Sequence, residues 1–95
     1  MRVTVEIMSL PNLAKMLGAR TMTMDFPGGT VADLVRHLAE SRGDKVRNFL
    51  LGEDGELDMT LRVVLNRRDW LRREDLSRPL AEGDHVAIAM LVGGG

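Results

Sequence analysis

The chain predicts an α+β fold, a mixed sheet of about four to five strands packed on one main helix, and three observations carry that prediction. Several short segments alternate apolar and polar residues with a period of two, as half-buried strands do. One longer segment repeats apolar residues at helical spacing. The order is strand, strand, helix, strand, strand within 95 residues, which leaves one helix to cover one curled sheet.

Arg2-Val3-Thr4-Val5-Glu6-Ile7 alternates strictly, with Val3, Val5 and Ile7 on one face. A connector follows, Ser9-Leu10-Pro11-Asn12, and then a short helical or irregular turn over residues 13–17, stopped by Gly18. Residues 21–26 alternate again, so Met22, Met24 and Phe26 join the same core face, and the two strands predict an antiparallel pair. Pro27-Gly28-Gly29 breaks the strand with a tight turn, and Thr30 is the N-cap of a helix, with Asp33 as the weaker, aspartate form of a capping box. Val31, Leu34, Val35 and Leu38 form the apolar stripe of that helix, which ends before Gly43.

Residues 44–59 are irregular; Val46, Phe49, Leu50 and Leu51 make either a helical turn or a short strand, and residues 52–56 read as a solvated acidic hairpin tip. Residues 61–66 are the third strand, with Leu61, Val63 and Leu65 inward. Residues 67–78 read as a charged loop holding Trp70, residues 79–84 as a turn, and residues 85–91 as the last strand, with Val86, Ile88 and Met90 inward. That strand is apolar on both faces, which places it centrally and beside the first.

The composition describes one ordinary soluble domain: 44% hydrophobic, 28% charged, net charge −1. Such a charge offers no global field for nucleic acid or an anionic membrane, and no apolar run approaches the ~20 residues of a membrane span. With no signal-peptide layout at the start, the expected location is cytoplasmic. The absence of cysteine removes thiolate nucleophiles, thiolate metal sites and disulfides.

Few residues are arranged for catalysis. His37 and His85 have no partner at metal-ligand spacing and read as surface or structural histidines. Ser9, Ser41 and Ser77 belong to no nucleophile elbow. Gly28-Gly29 lacks the lysine and hydroxyl residue of a phosphate loop, and Glu53, Asp54, Glu56 and Asp58 do not have calcium-loop spacing. Arg67, Arg68, Arg72, Arg73 and Arg78 surround Trp70 in a basic segment, but Asp69, Glu74 and Asp75 interleave and cancel much of its field, so nucleic acid is not the expected partner.

The outer sheet face is more informative. In the last strand the positions opposite the core are His85, Ala87, Ala89 and Leu91, and Met8 and Val64 face outward on their strands. A solvated antiparallel face normally carries polar residues. An apolar one marks a docking surface, unless the connector or the 67–78 segment folds over it. The chain closes on Gly93-Gly94-Gly95, a tether without side chains that can enter a narrow channel and ends in a carboxylate.

These pieces resemble the ubiquitin-like sulfur carriers (MoaD/ThiS-like). Residues 79–95 match the family's P-L-x-x-G-D-x-V, short strand, V-x-G-G ending without a gap, with Gly94-Gly95 as the terminal diglycine and Gly93 at the variable position. Residues 13–18 resemble its R-E-L-x-G connector, residues 26–34 its strand-to-helix turn, and Val64-Leu65-Asn66-Arg67 its third strand. The resemblance is strongest to the small subunit of molybdopterin synthase, with the thiamine-pathway carrier next.

The resemblance implies a β-grasp domain over residues 1–92 and a flexible tail over residues 93–95. It implies a non-catalytic carrier that binds no stable cofactor. An E1-like adenylating enzyme (MoeB/ThiF-like) uses ATP to activate the Gly95 carboxylate, which becomes a thiocarboxylate. A molybdopterin synthase large subunit (MoaE-like) or another sulfur acceptor then takes the sulfur. Met8, Val64, Trp70, Ala87, Ala89 and Leu91 are the expected docking residues. A carrier for thiamine, cysteine or another metabolite, a protein modifier, and a ubiquitin-like interaction domain that carries nothing are the alternatives. The chain departs from the pattern in having Ala87, Ala89, Met90 and Leu91 where aromatic residues and prolines are common, in the extra Gly93, and in longer 44–58 and 67–78 segments.

Overall fold

The computed structural model of the protein describes residues 1–90, so Leu91 and the tail lie outside the described residues. Along the chain run β1 (Arg2–Met8), α1 (Pro11–Leu17), β2 (Thr21–Asp25), α2 (Val31–Ser41), α3 (Asp44–Leu50), β3 (Leu61–Leu65), β4 (Asp69–Leu71), a 3₁₀ turn (Arg73–Asp75) and β5 (His85–Met90). Among the described residues five strands form a mixed sheet in the order β2-β1-β5-β3-β4. β5 is central, parallel to β1 and antiparallel to β3, and β1 pairs antiparallel with β2. The central strand is the one whose side chains are covered on both faces, Val86 and Ile88 on the inner and Ala87 and Ala89 on the outer.

One sheet face carries the core. Val3, Val5 and Ile7 from β1, Leu61, Val63 and Leu65 from β3, and Val86 and Ile88 from β5 are buried against Val31, Leu34, Val35 and Leu38 of α2. Burying each such side chain is worth roughly 1.5–3 kcal/mol. Phe26 is buried as well, with Met22 and Met24 packed at the margin. Met90 departs from the expected inward set, being 47% exposed. It pairs with Leu61 at the end of the ladder, where strand position outweighs facing parity.

The turn into α2 is set by local chemistry. Thr30 Oγ1 accepts from Asp33 N at 3.2 Å and Asp33 Oδ2 accepts from Thr30 N at 2.9 Å, a full reciprocal capping box. Gly29 has φ 131°, and a Cβ there would collide with the Asp33 carboxylate. Two further N-terminal amides of α2, Val31 and Ala32, donate to the carbonyls of Arg78 and Leu76. The chain before β5 is thereby tied across the start of the helix.

Two segments differ from the sequence reading. Residues 44–50 are helical throughout, α3, with Val46 and Leu50 fully buried. Residues 67–78 are not a plain loop: Asp69–Leu71 pairs with β3 as an edge strand, and a 3₁₀ turn follows. Three residues are too few to display a periodicity, so pairing with β3 decides this strand. The acidic tip is pinned as well as solvated, since Arg73 Nη2 donates to Asp54 at 2.8 Å.

Candidate functional site

The β3–β4 turn builds the site. Leu65 O accepts from Arg68 N at 3.1 Å, closing a turn whose central residues, Asn66 and Arg67, have φ 53° and 58°. Both values lie in the left-handed region, where asparagine is tolerated and glycine preferred; an arginine there costs on the order of 1 kcal/mol. Asn66 holds the start of β5: its N–H donates to His85 O at 2.7 Å, its Oδ1 accepts from His85 N at 2.8 Å, and its Nδ2 donates to Asp84 Oδ1 at 3.1 Å.

The ladder registers Glu6 with Ala87 and Ala87 with Val64, and Val64 pairs with Trp70, so these four lie in one row across the outer face. Met8 and Ala89 stand opposite each other in the next row. Glu6, Met8, Val64, Arg67, Trp70, His85 and Ala87 line a shallow concavity of about 360 Å³. Its floor is apolar, and its polar corner is Glu6, His85 and Arg67.

In that corner His85 Nε2 lies 2.8 Å from Glu6 Oε1, and Arg67 Nη2 lies 3.9 Å from the same oxygen. With Nε2–H donating to the carboxylate, His85 Nδ1 is a buried acceptor without a partner. His37 has a packing role instead, edge-on to Phe26 with ring centroids 5.7 Å apart.

Four of the six expected docking residues, Met8, Val64, Trp70 and Ala87, line the concavity, and Ala89 lies in the adjoining row. The expected exposure is corrected. Ala87 and Ala89 are only 1% and 4% exposed and Val64 is buried, because small side chains sink between larger neighbours. The accessible apolar surface is Trp70, 60% exposed, with Met8 at 36%. The 67–78 segment supplies the rim through Arg67 and Trp70 rather than a lid. Leu91, Gly93, Gly94 and Gly95 lie outside the described residues. Glu6, Arg67 and His85 were not among the expected docking residues; the alternation put Glu6 on Met8's face, but only the parallel pairing of β1 and β5 brings it to His85.

The basic segment is largely neutralised. Arg78 pairs with Asp69 at 2.6 Å, Arg73 with Asp54 at 2.8 Å and Arg72 with Glu74 at 3.3 Å. Four aspartates are held below the usual 3.8: Asp33 by the Thr30 N–H, Asp54 by the Glu56 N–H, Asp58 by the Thr60 hydroxyl, and Asp75 by the Arg72 N–H. Among the described residues no group of three or more His, Cys, Asp or Glu is placed to hold a metal ion, and no helix is long and apolar enough to cross a membrane.

The ThiS family model matches residues 12–95. SAMP1 from Haloferax volcanii is similar in structure, with 27% identity, 100% of each chain covered and a TM-score of 0.77. A chain of the Amycolatopsis orientalis BexX/CysO complex is 26% identical, with 98% of this chain and 99% of that one covered and a TM-score of 0.70. The putative molybdopterin converting factor, subunit 1, from Pyrococcus furiosus is 21% identical, with 97% and 99% covered and a TM-score of 0.70, a likeness of fold. No curated protein matches the sequence.

Proposed function

The chain belongs to the ThiS family of β-grasp, ubiquitin-like proteins, and on that premise we propose that it is a sulfur carrier whose reacting group is the Gly95 carboxylate. The observation that carries this reading is the family match running through the glycine tail to residue 95.

A carboxylate is a poor electrophile until one oxygen becomes a good leaving group. In this reading an E1-like enzyme spends ATP to form the acyl-adenylate of Gly95 and releases pyrophosphate. A hydrosulfide-level donor then attacks the acyl carbon and AMP leaves, giving the thiocarboxylate. The partner enzymes supply the catalytic residues and this chain supplies the tail and a docking face. Side chains at Gly93, Gly94 and Gly95 would obstruct a narrow channel, but ordering glycines costs roughly 1–2 kcal/mol of backbone entropy per residue. Docking through the concavity around Trp70 and Met8 offsets that cost.

The acceptor we propose is a molybdopterin synthase large subunit, on the strength of the sequence's resemblance to that enzyme's small subunit. A second reading, attachment to lysines as a protein modifier, is supported by the likeness at 27% identity over the whole chain to SAMP1, the small archaeal modifier protein 1 of Haloferax volcanii. Incubation with adenylating enzyme, ATP and a sulfur donor, followed by intact-mass measurement, tests the carrier chemistry. Exchange of one oxygen for sulfur is expected, and loss of that exchange on deleting Gly94-Gly95. An unchanged wild-type mass with an enzyme competent on its own carrier sinks the proposal. Isopeptide-linked products in a lysate would favour the modifier reading.

A further inference from the structure

We propose that Arg67 is a specificity-determining residue: held over the outer face by a left-handed turn, its guanidinium pairs with an acidic side chain that the adenylating enzyme presents beside an apolar one. This rests on the sulfur-carrier reading and names the chemistry of the surface that meets the concavity.

The backbone supplies the first argument. At φ 58° the second position of a tight hairpin turn favours glycine, yet an arginine occupies it. Strain of this kind persists where the surrounding structure over-determines it, and it clusters at functional sites. Among the described residues the fold makes little use of the side chain in return. Its one ion contact is with Glu6 at 3.9 Å, and its side chain is 78% exposed.

The neighbouring charges supply the second. Arg72, Arg73 and Arg78 each have a carboxylate within 3.3 Å, Glu74, Asp54 and Asp69, so their charge is spent within the fold. Arg68 is loosely paired, but it does not line the concavity. Glu6, the acid of the polar corner, is less exposed than Arg67 and already engaged at 2.8 Å by His85. An approaching surface therefore meets the cation first. Beside it, Trp70 and Met8 border a floor of Val64 and Ala87 that accepts an apolar side chain. The complementary surface is a carboxylate next to an apolar anchor, with the planar guanidinium suited to bidentate pairing.

The test uses full-length chain and an adenylating enzyme, measuring pyrophosphate release against carrier concentration alongside the intact-mass assay. Arg67→Gly fits the turn's backbone, so a melting temperature at or above that of wild type verifies its fold. Its KM should rise about five- to tenfold with kcat unchanged, and Arg67→Glu should be weaker still. Arg67→Lys should recover most of the affinity, and the difference between wild type and Arg67→Glu should shrink as salt rises. Wild-type sulfur exchange combined with wild-type KM values for Arg67→Gly and Arg67→Glu overturns this inference alone. Failure of the wild-type chain to exchange oxygen for sulfur overturns the carrier reading and this inference with it.

Discussion

Asn66 couples the β3–β4 turn to the start of β5 through three hydrogen bonds, two with His85 and one with Asp84, while holding a backbone conformation that a side chain branched at Cβ would resist. Replacing it with alanine should cost about 1–2 kcal/mol, because two side-chain bonds are lost and left-handed φ becomes less favourable; Asn66→Gly should cost less, and urea unfolding of the two variants measures the difference. Thr30 acts through its cap. Thr30→Ala should cost about 1 kcal/mol, seen as a melting temperature lower by roughly 4–8 °C. Its partner Asp33 adds a pH dependence whose sign follows from linkage. With a native pKa below 3.8, the folded state binds fewer protons than the unfolded one, so stability rises with pH across that window. The contribution is complete above the usual value and is lost as pH falls through the native one. Asp54, Asp58 and Asp75 act in the same direction. Urea midpoints should therefore fall below about pH 4, and Asp33→Asn should make that fall shallower.

Among the elements, α2 is the one whose removal would expose the sheet. Leu34 and Leu38 are buried on its inner stripe, and truncating either to alanine should cost about 2–5 kcal/mol, measurable by denaturant unfolding. The same helix was plainly legible in the sequence: its stripe spans two turns and its cap and preceding glycines fall where a helix start requires them. α3 was legible only as an alternative, because seven residues with two core contacts do not distinguish helix from strand. β4 was missed because an edge strand of three residues exists through its partner β3 rather than through its own pattern. That short strand presents Trp70, the chain's single tryptophan, to solvent. Trp70→Ala should change stability by less than about 1 kcal/mol while weakening docking. Tryptophan emission should shift to the blue when the partner covers the face, and constant emission on saturation with partner would remove Trp70 from the docking surface. Ala89→Asp is a less clean test of docking than its outward parity suggested, since the residue is almost wholly covered.

For the molecule as a whole, the central pairing of β5 with both β1 and β3 sets the hierarchy of stability. Amide hydrogen exchange should be slowest in β5 and β1 and faster in the edge strands β2 and β4. Sequence alone determined the core stripe of α2, the inward faces of β1 and β3, the central place of β5, and the glycine ending that the family match includes. Each of these is written in the spacing of near neighbours or in contiguous motif residues, where periodicity and backbone preference act directly. Tertiary structure alone decided that Glu6 meets His85, 79 positions away, that Ala87 and Ala89 sink beneath their neighbours, and that Arg67 overhangs a concavity floored by Val64 and Ala87. Those outcomes depend on cross-strand register and on which larger side chain covers a smaller one, and packing between distant segments sets both.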